Sequence, residues 1–216
     1  MRTAYGLTIP QTVADACDPA RMALLIYDMQ VGIVSQLSDG DHIVKQCLRL
    51  RDAARARGFR VFYTRHLSIP PAAAGVSQLR TAMEWQRVDD PAAVRAAFPQ
   101  GSPQYQLVPE LAPGPDEVVF DKITMSAFLG TPLDIALRDL GIDTFAVAGI
   151  AMEVGIEPTV RHAVDLGYLP IMVTDACGAG HAEAAERSTA ALAFAGGSRT
   201  VGTETLVDLM AGADLA

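Results

Sequence analysis

Short apolar runs alternate with helix-like segments along most of this chain of 216 residues. The strand-like runs cover 22–27, 59–64, 118–120, 144–149, 169–174 and 199–201. Helical patterns cover 41–57, 132–140, 155–166, 181–194 and 204–210. Strands that alternate with helices are typical of βαβ units, in which helices cover both faces of a parallel sheet. The sequence therefore predicts an α/β fold built on a doubly wound parallel sheet.

The length predicts one domain over residues 1–216, since a domain takes roughly 150 residues. Residues 1–20 are polar and turn-rich, and we expect them to form an N-terminal arm. Residues 66–115 hold eight of the 13 prolines and the single tryptophan, Trp85. Long connections inside a domain are usually functional. This segment is therefore expected to be a lid or binding loop, a surface excursion or oligomer contact, or both together.

The composition excludes several classes of partner. The chain has 25 acidic and 17 basic residues, which gives a formal charge of −8. A protein that binds nucleic acid needs a basic face, so this charge argues against such a partner. We find no apolar segment of membrane-spanning length and no secretory signal. Three scattered cysteines, Cys17, Cys47 and Cys177, suit neither a disulfide framework nor a zinc site. We expect a cytoplasmic protein that acts on a small molecule, with no nucleic acid or membrane partner.

Polar residues follow the predicted strands where ligands bind in such sheets, at the carboxyl ends. Asp28 follows the first strand, His66 the second and Lys122 the third, and residues 149–155 join the fourth strand to its helix. An Asp–Lys pair in a cleft supplies a proton acceptor and a positive charge for a developing anion. A buried structural ion pair is the alternative interpretation, because such pairs are not always catalytic.

The segment 149–159 predicts the start of a helix. Proline is tolerated only in a helix's first turn, so Pro158 places the start near residue 155. The free N–H groups there would suit an oxyanion or carboxylate. Glu157 also fits a simpler role, as a helix-start charge that pairs with Arg161 four residues on.

Four ordered motifs carry a resemblance to a known family. They are DMQ at 28–30, FDKITMSAFLGTPL at 120–133, AGIAMEVGIEPT at 148–159 and VTDAC at 173–177. Together they resemble the isochorismatase-like hydrolase superfamily, which also contains nicotinamidases and N-carbamoylsarcosine amidases. The resemblance covers about residues 20–205 and implies a Rossmann-like, six-stranded parallel sheet.

The resemblance also implies a catalytic Asp–Lys–Cys triad. Asp28 and Lys122 match the first two members, but Gly155 stands where a pattern such as GVATDVCVEST has its cysteine. None of this chain's three cysteines replaces it. The isochorismatase branch also carries glycine there and hydrolyses a vinyl ether without a covalent intermediate. By resemblance, Asp28 would protonate substrate, and Lys122 would set the pKa of Asp28 and orient its side chain. Gly155 would leave room for the ligand and offer its N–H.

Further family features concern metal, backbone and assembly. Nicotinamidases bind a metal through Asp-x-His and a second histidine; the corresponding stretch here is Thr64-Arg65-His66, so we expect no metal and no cofactor. The resemblance implies a non-proline cis peptide at Ile150–Ala151, which would aim backbone donors into the site. It also suggests a homo-oligomer, a dimer or a tetramer.

Several residues are candidates for substrate binding. Gln30 could orient a polar group or act as an exposed cap, and His66 could donate to substrate or satisfy loop backbone. Trp85 could wall the pocket or anchor a core or subunit contact. The cis-peptide residues Ile150 and Ala151, together with Glu153, complete the predicted substrate-binding set.

Three functions remain open from sequence. The first is hydrolysis of a small metabolite without a cysteine intermediate, of the vinyl-ether type, with Asp28 as acid/base and Lys122 as electrostatic partner. The second is amide or cyclic-imide hydrolysis by water that Asp28 or Glu153 activates. The third is a non-catalytic relative that binds a metabolite or a partner protein.

Overall fold

The computed structural model describes residues 1–213, so residues 214–216 of the predicted domain lie outside it. The N-terminal arm forms an antiparallel hairpin of β1 (Arg2–Ala4) and β2 (Leu7–Ile9), followed by the short helix α1 (Val13–Ala16). None of the helices in the described part of the chain is long and apolar enough to cross a membrane.

The remaining strands and helices alternate as the sequence predicts, with two further helices, at 31–34 and 76–86, that it does not predict. The strands are β3 (Met22–Tyr27), β4 (Arg60–His66), β5 (Val118–Lys122), β6 (Thr144–Ile150), β7 (Leu169–Gly178) and β8 (Arg199–Val201). The helices are α2 (Val31–Val34), α3 (Gly40–Ala56), α4 (Val76–Gln86), α5 (Leu133–Asp139), α6 (Glu157–Asp165), α7 (Ala182–Ala195) and α8 (Thr203–Ala211).

The six strands β3–β8 form one parallel sheet in the order β5-β4-β3-β6-β7-β8. This confirms the predicted α/β class and the six-stranded sheet. Within this sheet the chain first forms the central strand β3, then β4 and β5 on one side of it. It then crosses to the other side of β3 and forms β6, β7 and β8. In such sheets a crevice opens where the strand order reverses, outside the carboxyl ends of the strands. Here that point lies between β3 and β6.

Strand β3 is buried along its whole length because side chains of alternate residues enter two separate cores. Met22, Leu24 and Ile26 pack in the core under α3 and α8. The odd-numbered residues, Tyr27 among them, pack in the core formed with α5, α6 and α7. The side chain of Tyr27 therefore lies on the face that α6 covers.

The proline-rich segment 66–115 contains α4 and four short 3₁₀ turns, and its last part packs on the loop after β3. Val31 N donates to Gln106 O and Val108 N to Met29 O, each at 2.9 Å. The segment thus lies against the residues that follow Asp28. Its role as a lid or an oligomer contact stays a prediction.

We predict that Gly149→Ala severely destabilises the protein. Gly149 has φ 134° and pairs with Tyr27 across β3 and β6, and an added Cβ would meet the Tyr27 backbone well inside 3.0 Å. We expect a loss of about 3 kcal/mol or more in the free energy of unfolding, measured by urea denaturation.

Gly58→Ala is the matched control. Gly58 also has positive φ, 76°, but an added Cβ would meet nothing within 4 Å. Only the conformational cost of about 1–2 kcal/mol applies there. Equal losses of unfolding free energy in the two variants would show that the close approach of β3 to β6 does not make a side chain at position 149 more costly.

Candidate active site

Asp28 and Lys122 form a buried ion pair at the carboxyl edge of the sheet. Asp28 directly follows β3, and Lys122 is the last residue of β5. Lys122 Nζ lies 2.6 Å from Asp28 Oδ2, and the two side chains are only 1% and 6% exposed, the lysine being the more buried. The structure therefore brings together the two residues that the sequence singles out.

Thr64, the residue of β4 nearest Asp28, fixes the aspartate's orientation. Its Oγ1 donates to Asp28 Oδ1 at 2.6 Å, and its carbonyl accepts from Asp28 N at 3.2 Å. These bonds support an Asp28 backbone with φ 48°, a left-handed conformation that costs a non-glycine residue of order 1–2 kcal/mol. Each carboxylate oxygen thus has a defined donor, one from Thr64 and one from Lys122.

Two further groups hold the Lys122 ammonium. Nζ donates to the Thr124 carbonyl at 3.2 Å and lies 4.3 Å from the centroid of the Tyr27 ring. An ammonium over an aromatic face is attracted by the ring's quadrupole, more strongly when water is excluded. The buried charge is therefore compensated by a carboxylate, a carbonyl and a π face.

His66 lies beside the pair. It ends β4 and is the register partner of Lys122 on β5. Burial lowers the pKa of His66, the Lys122 charge lowers it further, and the Asp28 charge opposes both. The imidazole is therefore neutral at pH 7, able to donate one hydrogen bond and accept another at this edge.

Gln30 supports the backbone instead of facing a ligand. It is fully buried; its Nε2 donates to the carbonyls of His66, at 3.0 Å, and Tyr105, at 2.9 Å, and its Oε1 accepts from His66 N at 2.6 Å. The two predicted roles, substrate group and exposed cap, do not fit this arrangement because the amide is already satisfied. Gln30 instead ties the end of β4 to the proline-rich segment.

The segment before α6 differs from the predicted helix start. Residues Met152–Ile156 form a π-helical turn, and Pro158 lies in the first turn of α6. Gly155 N donates to Ala151 O at 3.0 Å. The prediction that Gly155 offers its N–H to an anion is wrong, because helical winding begins three residues earlier and uses that donor.

The space beside Gly155 is filled by Tyr27. A Cβ built on Gly155 would lie well inside 3.0 Å of the Tyr27 hydroxyl oxygen and of its ring atoms Cζ and Cε1. Position 155 is thus in contact with the ring that also supports Lys122. The expectation that glycine leaves this space to a ligand is wrong in this structure, because the phenol occupies it.

The predicted residues around Gly155 occupy different environments. The Ile150–Ala151 peptide bond is cis and directly follows β6. Glu153 Oε1 accepts from His181 N at 2.7 Å, whereas Oε2 is buried and is the one buried side-chain oxygen within 1–213 found without a hydrogen-bond partner. Glu153 also lines a surface cleft of about 370 Å³ formed with Glu157 and residues of α7.

Trp85 is not brought to the pair. It lies on α4 with 57% of its surface exposed, so it is not a core anchor in this chain. Its role as a pocket wall stays a prediction. The contact with another subunit stays a prediction.

The three cysteines are poor nucleophiles. Burial raises the pKa of Cys17 to about 11 and that of Cys177 to about 12, and it also raises the pKa of Cys47. A thiol needs its thiolate form to attack, so these groups are unreactive near pH 7. Within residues 1–213, no three His, Cys, Asp or Glu side chains are grouped so as to hold a metal ion.

Sequence reasoning missed Thr64 and Tyr27, which it treated as strand residues. Thr64 carries a usable signal, because it is a polar residue that directly follows the apolar residues 61–63 of the second predicted strand. Tyr27 carries none, since its contact with Gly155 joins residues 128 positions apart.

Comparisons with known proteins place most of this chain in one family. The family model described as "Isochorismatase domain" matches residues 22–205. The isochorismatase-family protein YwoC of Bacillus subtilis is 32% identical over 160 residues, 74% of this chain and 78% of that protein. The ureidoacrylate amidohydrolase RutB of Methylobacterium radiotolerans is 30% identical over 178 residues, 74% of this chain and 68% of that protein.

Solved structures give the same fold. A cysteine hydrolase from Pseudomonas syringae pv. phaseolicola superposes with a TM-score of 0.77 at 25% identity, covering 90% of this chain and 94% of that one. An isochorismatase family protein from Desulfovibrio vulgaris gives a TM-score of 0.72 at 28% identity, with 88% and 98% covered.

We predict that the two members of the ion pair are energetically coupled. Lys122→Met should cost about 3–5 kcal/mol, because it leaves the Asp28 carboxylate buried without its cation. Asp28→Asn combined with Lys122→Met should cost clearly less than the sum of the single changes. Urea unfolding of the four proteins completes the double-mutant cycle, and additive losses would contradict the coupling.

We predict a pH-dependent contribution of His66 to stability. Its pKa is lower in the folded protein than the usual 6.5, so the unfolded chain binds more protons just below pH 6.5. This contribution is present above pH 6.5 and is lost as the pH falls through the folded pKa. The difference in unfolding free energy between wild type and His66→Gln should therefore shift against wild type between pH 7.5 and 5. A pH-independent difference in urea unfolding would contradict this.

Proposed function

The chain belongs to the isochorismatase family of hydrolases, and we propose that it hydrolyses a small metabolite without forming a covalent bond to it. One observation carries the proposal. The Asp28–Lys122 pair is assembled and buried, while the nucleophile position, 155, is a glycine whose side-chain space is filled. The site thus keeps an acid/base and a cation but has no thiol.

Vinyl-ether hydrolysis suits these groups. Asp28 in its acid form delivers its proton to the vinyl carbon, and Lys122 keeps the carboxyl group oriented. Water then adds to the oxocarbenium carbon and returns a proton to Asp28, and the hemiketal collapses to a carbonyl compound and an alcohol. General acid catalysis of this kind contributes about 10²–10⁴-fold.

Amide or cyclic-imide hydrolysis by activated water is the second candidate. It is supported by the similarity to RutB, an amidohydrolase by name. It is also supported by Glu153, whose buried Oε2 has no hydrogen-bond partner within residues 1–213 and so keeps its capacity to accept a proton. In this reaction Asp28 or Glu153 takes a proton from a water molecule while the water oxygen attacks the carbonyl carbon. The C–N bond then breaks, and the leaving nitrogen receives that proton.

We predict that Asp28→Asn abolishes turnover of the substrate. Wild type and variant are compared on isochorismate, small amides and cyclic imides, with near- and far-UV circular dichroism to establish that the variant is folded. Asparagine keeps the shape but neither donates nor accepts a proton at neutral pH, so kcat should fall at least about 10²-fold.

Glu153→Gln separates the candidates. It should leave vinyl-ether cleavage within a few-fold of wild type, and it should abolish amide cleavage only if Glu153 activates the water. Turnover that survives Asp28→Asn would overturn the proposed role of Asp28. Ligand-induced melting shifts without product, across the whole panel, would favour a metabolite-binding relative over an enzyme.

A further inference from the structure

Tyr27 occupies the place that a nucleophilic side chain would need. Its hydroxyl oxygen and two ring carbons overlap with any Cβ at position 155. Real Cβ atoms do not approach heavy atoms so closely, so either the ring or the π-helical turn would have to move. The lack of a nucleophile is thus a property of two residues, Gly155 and Tyr27.

The ring has little freedom to move aside. Tyr27 is 1% exposed, and its hydroxyl donates to the carbonyl of Met125 in the loop after β5. The turn on the other side is also held: Thr159 Oγ1 donates to Gly155 O at 2.7 Å and accepts from Ala127 N at 3.0 Å. The phenol is therefore enclosed between two hydrogen-bonded segments.

The phenol also affects the charge balance of the site. Burial raises the pKa of Tyr27 well above its usual value, as does the nearby Asp28 charge, so the group is neutral. Lys122 therefore faces one carboxylate, that of Asp28, and an uncharged ring.

We propose that Tyr27 is a specificity-determining residue. Its ring closes the side-chain space at position 155 and reserves the Asp28–Lys122 pair for hydrolysis without an acyl-enzyme. The inference rests on the proposed function only in taking that pair to be catalytic. It predicts that the covalent reaction needs two coordinated changes, removal of the ring and introduction of a thiol.

The first test measures thermal stability in four proteins: wild type, Gly155→Cys, Tyr27→Ala and the double variant Tyr27→Ala/Gly155→Cys. Gly155→Cys alone should lower the melting temperature by several degrees through overpacking. Tyr27→Ala should lower the melting temperature of wild type but raise that of Gly155→Cys. Additive decreases would overturn the proposal.

Tyr27→Phe is the matched control. It removes the hydroxyl and its bond to Met125 but keeps ring atoms Cζ and Cε1, which also overlap with a Cβ at position 155. Tyr27→Phe/Gly155→Cys should therefore stay as destabilised as Gly155→Cys. Full recovery with phenylalanine would assign the conflict to the hydroxyl alone and contradict the role of the ring.

The second test asks for covalent chemistry, with 4-nitrophenyl acetate as the probe. The thiolate sulfur bonds to the acetyl carbon, the C–O bond to nitrophenol breaks, and nitrophenolate leaves with the electron pair. The acetyl group stays on sulfur, and peptide mass spectrometry locates it. In Tyr27→Ala/Gly155→Cys, acetylation at position 155 should be at least tenfold faster than at any native cysteine.

Acetylation at position 155 that is equally fast in Gly155→Cys with Tyr27 in place would show that the space is open, and would overturn the proposal. So would absence of acetylation in a folded double variant. Neither test uses the natural substrate. Turnover that survives Asp28→Asn would therefore contradict the proposed function and not the role of Tyr27. Additive losses of melting temperature in the Tyr27 and Gly155 variants would contradict the role of Tyr27 and not the proposed function.

Discussion

The removal of the Asp28 and Lys122 charges from water is the constraint on which the site depends. Each ion loses several kcal/mol of hydration, and their mutual attraction offsets this only with good geometry and further hydrogen bonds. The structure meets that condition with short bonds from Thr64 and Lys122 to the two carboxylate oxygens. It adds a carbonyl and a ring face around the ammonium. Because these contacts occupy both carboxylate oxygens and surround the ammonium, the two side chains keep one orientation.

The parallel sheet makes this geometry possible. Asp28 and Lys122 are 94 residues apart, yet β4 lies between their strands, and its Thr64 and His66 line the same edge. The register between β4 and β5 places His66 and Lys122 on the same face of the sheet. A shift of that register by one residue would turn the two side chains to opposite faces. The side chains of β4 also enter two different cores, Val61 and Tyr63 in one and Phe62 in the other, which strongly disfavours such a shift. Core packing thus fixes the geometry of the Asp28–Lys122 pair.

The sequence predicts the order of strands and helices well, and even the bounds of β3, because burial on both faces gives continuous apolar runs. Asp28 could be predicted because it directly follows such a run, and Lys122 because it lies two residues beyond one. Gln30 and Gly155 were misjudged for one reason: hydrogen-bond satisfaction depends on chain packing elsewhere. The amide of Gln30 is used by Tyr105, and the N–H of Gly155 by a π turn. Periodicity carries no information on either.

The contact between Gly155 and Tyr27 explains why a glycine at this buried position leaves no cavity. A glycine replacing a larger buried residue normally creates a cavity, with a cost that grows with the empty volume. Here an aromatic ring from the neighbouring strand fills that volume and supplies Lys122 with an uncharged partner. Packing and charge are therefore balanced by the same side chain. Any change at either position alters both, so the chemistry proposed for this site is coupled to the stability of its core.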